Sequence, residues 1–420
     1  GAKRWVLILR PAWYNGTMPT PIVARDAQHL KALVDTCILT NGPTCDLNHI
    51  DVSSIQDFTG LFKESPFNGD ISRWDTSSAT TMASMFMQSK FNGDISQWNV
   101  SKVVNFDDMF HKSRFNKDIS RWDASSATSM NRMFAVTAFH KGFTGDISQW
   151  NVANVKTMNG MFQAAKFNGD ISKWDVSGVE DFDCMFAYSK FNGDLSRWDM
   201  RSAKCMRAMF QGASFLGDIS GWDVSNVTTM VGMFWEAQFN NDISQWKTSN
   251  VWDMRRMFYK SHFQGDISNW DTSSVINMER MFSGARFEGD LSAWNVQKVR
   301  DMAYMFEHTR YNRDLCAWNV HESTKLDGFF YENSGGFEGQ SMRAWMVPLF
   351  VENGRVPSEP SWAEVFEQVA PIAQGLNLDP VAHAQTILAT RGNQGAGLPV
   401  EIDAAILGHL GGDVREIASR

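Results

Sequence analysis

The sequence predicts an α/β repeat solenoid, because one 24-residue unit recurs in phase along most of the 420 residues. Tryptophans follow one another at intervals of 24 residues, with a single interval of 28, and an aspartate stands four residues before each of them. Periods of this length are typical of stacked repeats whose units contact only their neighbours. The repeat tryptophans are Trp74, Trp98, Trp122, Trp150, Trp174, Trp198, Trp222, Trp246, Trp270, Trp294 and Trp318.

The apolar residues of each unit predict its local structure. If position 1 is the residue after the repeat Asp, apolar residues fall at positions 1, 4, 6, 9, 12, 15, 16 and 21. Positions 4 and 6 alternate around a polar residue, which predicts a strand. Positions 9, 12 and 15 recur every third residue, which predicts an α or 3₁₀ segment. In one unit these positions are Ile219, Trp222, Val224, Val227, Met230, Met233, Phe234 and Phe239.

The composition along the chain predicts four regions. Residues 1–45 are expected to form an N-terminal cap, with a strand at Trp5–Leu9 and a helix over 25–40 whose apolar residues have helical spacing. Residues 46–348 form the array of about twelve units, 349–358 a linker, and 359–420 a small helical C-terminal module. The long interval comes from Phe139–Gly142, which we expect to bulge from the stack before Phe143 resumes the repeat.

Charge and composition exclude several classes of protein. The net charge of −8 argues against a nucleic-acid partner, which favours a basic surface. No apolar run approaches the ~20 residues that span a membrane, and Trp5–Leu9 is too short for the apolar region of a signal peptide. Five cysteines indicate no disulfide framework; Cys37 and Cys45 could pair across a short loop, but free thiols are favoured.

No catalytic or cofactor-binding constellation is present in the sequence. There is no phosphate-binding loop, no HExxH metal motif and no nucleophile elbow of the Gly-x-Ser-x-Gly type. The sequence therefore predicts a protein that is not an enzyme and that needs no cofactor or metal.

The repeat aspartate is the most regular polar feature. Two explanations compete, a row of calcium ions and a structural turn in which each carboxylate accepts backbone N–H groups. One carboxylate per unit supplies too few oxygens for the 6–8 ligands that Ca²⁺ prefers, so the structural turn is favoured. These residues are Asp70, Asp94, Asp118, Asp146, Asp170, Asp194, Asp218, Asp242, Asp266, Asp290 and Asp314.

The unit F-N-G-D-I-S-x-W-D-V-S-x-V-x-x-M-x-x-M-F resembles that of the BspA-like leucine-rich-repeat proteins, which also occurs in mycoplasma lipoproteins. The resemblance covers residues 46–330. It implies a right-handed leucine-rich-repeat-like solenoid, adhesion or another surface role, and a location at the cell surface or outside the cell.

The sequence favours a non-enzymatic scaffold that binds a protein or glycan partner through the exposed face of the predicted strands. Positions 3 and 5 should project from that face. In the first half, cations at position 3 can pair with acids at position 5, as in Arg121–Asp123, whereas the second half lacks these cations. The predicted partner-binding residues are therefore Asp223, Gln245, Asn269, Asp271 and Asn295. Two alternatives stay open: an array that displays a C-terminal effector module, and a self-associating surface layer.

Overall fold

The computed structural model describes residues 21–137 and 142–335. In these ranges the regular elements are β1 (Ile22–Val23), α1 (Ala27–Asn41) and β2 (Ile50–Asp51), and β1 pairs in parallel with β2. The predicted strand at Trp5–Leu9, most of the insertion, the linker and the C-terminal helical module lie outside the described residues.

The helix expected over 25–40 is present as α1. Its N-cap is Asp26, whose side chain accepts the His29 backbone N–H at 2.7 Å. It ends at Gly42, whose N–H bonds to the carbonyl of Ile38 and whose φ of +85° suits glycine. Leu30 and Val34 are buried on the face that joins the array core, so the helix covers apolar residues at the first unit.

The remaining described chain is an array of stacked repeats with one continuous apolar core. All eight positions predicted to be apolar are buried in the units between residues 47 and 314, and in the unit that begins at Ile219 none of them is more than 3% exposed. In the last described unit, Val320 and Leu326 are only partly buried. Phe143 is also buried and stacks on Phe115 and Phe167, so the Phe position resumes after the insertion. The core therefore depends on contacts between equivalent residues of successive units.

Aromatic ladders join the units. The rings of Trp222 and Trp246 lie 6.4 Å apart and nearly parallel, and those of Phe234 and Phe258 lie 5.7 Å apart. Each repeat Trp also donates its indole N–H to a carbonyl of the preceding unit, as Trp222 does to Leu195 at 3.0 Å. The indole thus combines burial with a hydrogen bond between units.

The local structure within a unit differs from the prediction. The predicted strand at positions 4 and 6 is wrong, because the chain turns there: Trp222 N–H bonds to Ile219 C=O and Val227 N–H to Val224 C=O. The predicted helical segment is also wrong; positions 12–17 run through successive turns. A three-residue apolar spacing fits such turns as well as a helix, so the spacing alone could not distinguish them.

A regular ladder of hydrogen bonds crosses these turns, which we call the turn ladder. The N–H groups at positions 12, 14, 16 and 18 donate to carbonyls at positions 11, 13, 15 and 17 of the next unit, for example Met230 to Asp253 and Gly232 to Arg255. The intervening N–H groups close turns inside their own unit, as Met233 does on Met230. Parallel bridges at position 11 repeat along the array, for example Thr229 with Asp253.

A left-handed backbone conformation, with positive φ, makes the turn ladder possible. It occurs at positions 14 and 18 in unit after unit, and most of these residues are not glycine; Val136 has φ +52° and Tyr188 φ +56°. A left-handed residue reverses the sense of turning, so the chain stays in the plane of its unit and does not rise as a helix. Each unit can then offer its peptide groups to both neighbours.

Candidate functional site

The repeat aspartates occupy tight corners. In each unit the carboxylate accepts the backbone N–H of the residue two positions later, as Asp218 does from Ser220 at 2.9 Å. The Ser220 N–H, followed by its hydroxyl, lowers the pKa of Asp218, and the equivalent serines lower the pKa of Asp242 and Asp266. In the part of the chain that the structure describes, no group of three or more His, Cys, Asp or Glu side chains could hold a metal ion.

Two further corners have the same geometry. At position 5, Asp223 accepts the Ser225 N–H at 3.0 Å, and at position 11, Asp253 accepts the Arg255 N–H at 3.2 Å. Asn295 also accepts a backbone N–H in this way, from Gln297 to its Oδ1 at 3.1 Å. The side-chain oxygen, common to both residue types, is what these corners require.

The sequence-predicted binding residues lie in four consecutive units along these corners. Asp223, Asp271 and Asn295 accept N–H groups two residues ahead, and the exposed Gln245 and Asn269 stand at position 3. The structure thus places them at equivalent positions of neighbouring units. Asp223 is only partly exposed, whereas the other four are exposed.

The same-strand ion pairs expected in the first half are not formed. Among the described residues, Asp123 and Asp175 have no ion pair within 4.0 Å; Asp199 pairs with Arg201, and Arg73 lies 3.9 Å from Asp46 of the preceding unit. The reason is that positions 3 to 5 lie on turns, so their side chains do not share a strand face. Asp223 and Asp271 are therefore not distinguished from their counterparts by a missing cation.

A different surface carries the exposed aromatic residues. Side chains at positions 10, 11, 13, 14, 17 and 18 form the turn face, which covers the turn ladder. Four of the six tyrosines lie there, together with the two described tryptophans that are outside the repeat column. All six lie in the units between residues 171 and 332, and we call the turn face of these units the aromatic face. Tyr188, Trp252 and Tyr331 are exposed, and Trp235, Tyr259 and Tyr304 are partly exposed.

Cations interleave with these rings. The Arg256 guanidinium carbon lies 5.8 Å from the centre of the Trp235 ring, and that of Arg280 lies 4.4 Å from the centre of the Tyr304 ring. The Lys260 ammonium lies 5.1 Å from the Tyr259 ring. At these distances a cation is attracted by the electron-rich face of the ring.

The ion pairs of the aromatic face have a consistent orientation. The Asp253 side chain is 2% exposed whereas its partner Arg255 is 43% exposed, and Asp183 is 4% exposed against 57% for Arg207. Hydrogen bonding to Asp253 raises the pKa of Arg255, and burial raises the pKa of Asp183 although Arg207 opposes this. In these arginine pairs the carboxylate lies beneath the guanidinium, whereas Glu236, Asp327 and Glu332 are exposed acids on the same face.

The same arrangement continues in the next units. Arg256 bonds to Glu279 at 3.0 Å, and Arg280 bonds to Glu307 at 2.8 Å, with the arginine the more exposed partner in each pair. Ser283 also donates to Glu307 at 2.8 Å. These contacts link three successive units on the aromatic face, so its side chains are held by one another as well as by the backbone.

Our sequence reasoning missed the aromatic face, although a signal was present. In the first five units, residues 56–164, the turn-face positions contain no Trp, Tyr or Phe. Aromatic residues outside the core positions therefore mark the second half of the array. The spacing of the apolar residues does not show that positions 10 to 18 share a surface. Only the hydrogen bonds of the turn ladder show it.

The cysteines do not resemble activated nucleophiles. Burial raises the thiol pKa of Cys37, Cys45, Cys184 and Cys205, and reactive cysteines have a lowered pKa. Cys37, Cys45, Cys184 and Cys205 have free thiols. The described residues include no helix that is both long and apolar enough to cross a membrane.

Comparison with known families gives one match. The model of a family described as "Mycoplasma protein of unknown function, DUF285" matches residues 30–142, 138–215, 187–263 and 237–345. Comparison with curated proteins and with solved structures finds no match. The four overlapping matches together extend from residue 30 to residue 345 and contain every repeat tryptophan.

Proposed function

Because the chain belongs to the family described as "Mycoplasma protein of unknown function, DUF285", a description that assigns no activity, we propose a function from the surface of the array itself. The array is a non-enzymatic scaffold that binds a protein or glycan partner through the aromatic face. One observation carries this proposal: the exposed aromatic residues are gathered on one face of one half of the array. Trp, Tyr and Arg are also the residues that contribute most binding energy at interfaces.

The array suits this function because its aromatic face is held in place before binding. Trp235 packs edge-on against Tyr259 with ring centres 5.2 Å apart, and Arg256 bonds to Glu279. Side chains that are already ordered lose little entropy when a partner binds. We extend the proposal to the overall architecture: the units wind as a right-handed solenoid of the BspA-like, leucine-rich-repeat type, and the protein acts in adhesion at a surface.

Binding measurements with matched variants test the proposal. The full chain is screened against purified glycans and proteins, and the affinity for each ligand found is measured by biolayer interferometry. Trp252→Ala should weaken binding at least tenfold, since a central aromatic anchor contributes about 2 kcal/mol. Val104→Ala is the matched control, because Val104 occupies the same position 10 and is 42% exposed against 46% for Trp252. Equal loss from both variants would refute the aromatic face as the binding surface.

The residues predicted from sequence give a second candidate surface for the same function. Asp223→Arg with Asp271→Arg should weaken binding only if the partner contacts the position 5 corners. The display alternative is tested by removing residues 359–420. A scaffold keeps its affinity for the partner without these residues, whereas a display array loses the activity of its C-terminal module.

A further inference from the structure

We propose that the partner of the aromatic face is an anionic linear polysaccharide, one that bears carboxylate or sulfate groups along its chain. This inference rests on the proposed binding function and specifies the class of ligand. It follows from three features of the aromatic face: its exposed cations, its flat apolar rings, and the regular spacing of the units that carry both.

Exposed cations outnumber exposed acids on the aromatic face, where the exposed acids are Glu236, Asp327 and Glu332, although the whole chain carries a net charge of −8. The carboxylates of Asp253, Asp183 and Glu307 are largely buried beneath their arginines. A guanidinium has five N–H donors, and Arg255 uses only Nε and Nη2 on Asp253. The N–H groups that remain can bond to planar oxyanions such as carboxylates and sulfates.

Some cations of the aromatic face have no carboxylate partner within 4.0 Å in the described ranges. The Lys260 ammonium lies against the Tyr259 ring, and the Arg300 guanidinium donates to the neutral carbonyls of Gln297 and Val299. These two residues leave positive charge that an anionic ligand can neutralise. A neutral glycan would make no use of it.

The rings between the cations suit sugars. Trp252 and Ile276 stand at position 10 of adjacent units, 46% and 45% exposed, and offer an apolar ridge to the C–H faces of pyranose rings. Neighbouring units are a strand spacing apart, about 4.8 Å, which is close to the advance of one sugar in an extended glycan. A regular polymer can therefore place one sugar over each unit, whereas the irregular surface of a folded protein cannot keep this spacing.

Other classes of polyanion fit the aromatic face less well. A nucleic acid requires a broadly basic surface, and here the basic layer is confined to one face of an acidic chain. An acidic polypeptide offers carboxylates but no flat ring for Trp252. Both serve as comparison ligands in the test.

The test uses the full chain and defined probes: oligogalacturonate as a carboxylated glycan, heparin oligosaccharide as a sulfated one, dextran as a neutral one, poly-L-glutamate and single-stranded DNA. Titration calorimetry should show binding of at least one anionic glycan, weakening as salt is raised, and none of dextran. Arg256→Gln with Lys260→Gln should raise its Kd at least tenfold.

The matched control is Arg132→Gln with Lys112→Gln. Arg132 occupies position 14, as Arg256 does, and Lys112 occupies position 18, as Lys260 does, but both lie in units without exposed aromatics. The control should change the Kd less than twofold. Trp252→Ala provides a second variant if the arginine change lowers the melting temperature.

Several results would overturn the inference: dextran binding as tightly as the anionic glycans, poly-L-glutamate or DNA binding more tightly than either, no binding of any anionic glycan, or equal loss from test and control variants. If the aromatic-face variants abolish binding of a protein or a neutral glycan found in the screen, the ligand class is wrong but the binding function stands. If no ligand responds to any aromatic-face variant, the binding function itself fails.

Discussion

Replacing Trp222 by Phe tests how the array is held together. Trp222 is 3% exposed, its ring stacks on Trp246, and its indole N–H donates to the Leu195 carbonyl of the preceding unit at 3.0 Å. Phenylalanine removes the donor, and the Leu195 carbonyl then accepts only the Trp198 backbone N–H, at 3.1 Å, so losing this hydrogen bond costs about 1 kcal/mol. The smaller ring also leaves a cavity, at about 1 kcal/mol. We expect the free energy of unfolding to fall by about 2 kcal/mol.

Urea denaturation followed by far-UV circular dichroism measures this loss. The control is Trp252→Phe, which removes the same atoms from an exposed tryptophan outside the core and should change the free energy of unfolding by less than about 0.5 kcal/mol. Replacing Trp222 with benzothienylalanine keeps the ring shape but removes the N–H, so it isolates the hydrogen bond. A loss below about 1 kcal/mol for Trp222→Phe, or equal losses at Trp222 and Trp252, would refute the reasoning.

Three other experiments test separate features. Tyr311 fills a Phe position with a buried hydroxyl that makes no hydrogen bond of normal geometry among the described residues, so Tyr311→Phe should raise the free energy of unfolding by about 1 kcal/mol. Tyr188→Phe, at a hydroxyl that accepts from Gln211, is its control and should not raise it. The lowered pKa of Asp218, Asp242 and Asp266 means that their stabilising effect is complete above the unfolded pKa near ~4 and is lost as the pH falls through the folded value. Acid titration of the melting temperature should show this loss; Asp218→Asn, which keeps the accepting oxygen, should be tolerated at pH 7, whereas Asp218→Ala should lower the melting temperature. Millimolar calcium should leave the melting temperature unchanged if the repeat aspartates are structural, and a rise of several degrees would contradict that assignment.

The core could be predicted from the sequence because one physical requirement repeats in every unit. A position such as that of Met230 must be apolar in each copy, since it packs on its equivalents above and below, and the period makes this visible. The helix α1 was visible for a similar reason, because Leu30 and Val34 lie four residues apart on one face.

The turn ladder could not be predicted, because its defining feature leaves only a weak compositional mark: glycine stands at positions 14 or 18 in some units, such as Gly160 and Gly212, but not in most. Positive φ usually favours glycine, yet positions 14 and 18 hold residues such as Arg132, Val136 and Tyr188. Lateral hydrogen bonds to both neighbours hold these residues in that conformation, and such bonds exist only in the stack. The predicted strand and helix failed for this reason, and with them the idea that Arg121 and Asp123 share a strand face.

The turn ladder also gives the array an electrical direction. In an ordinary sheet successive peptide dipoles oppose one another and nearly cancel. Here four peptide groups per unit point their N–H toward the next unit. Fewer point back: the group at position 10, as Trp252 does to Thr228, and in several units those at positions 11 and 20, as His262 does to Ala237. This order persists across the eleven bridges from Asp57 to Lys325. The array is therefore polarised like a long helix, negative toward its first unit and positive toward its last. A charged chain lying along it would meet a preferred orientation, although the repeats that it contacts are nearly identical.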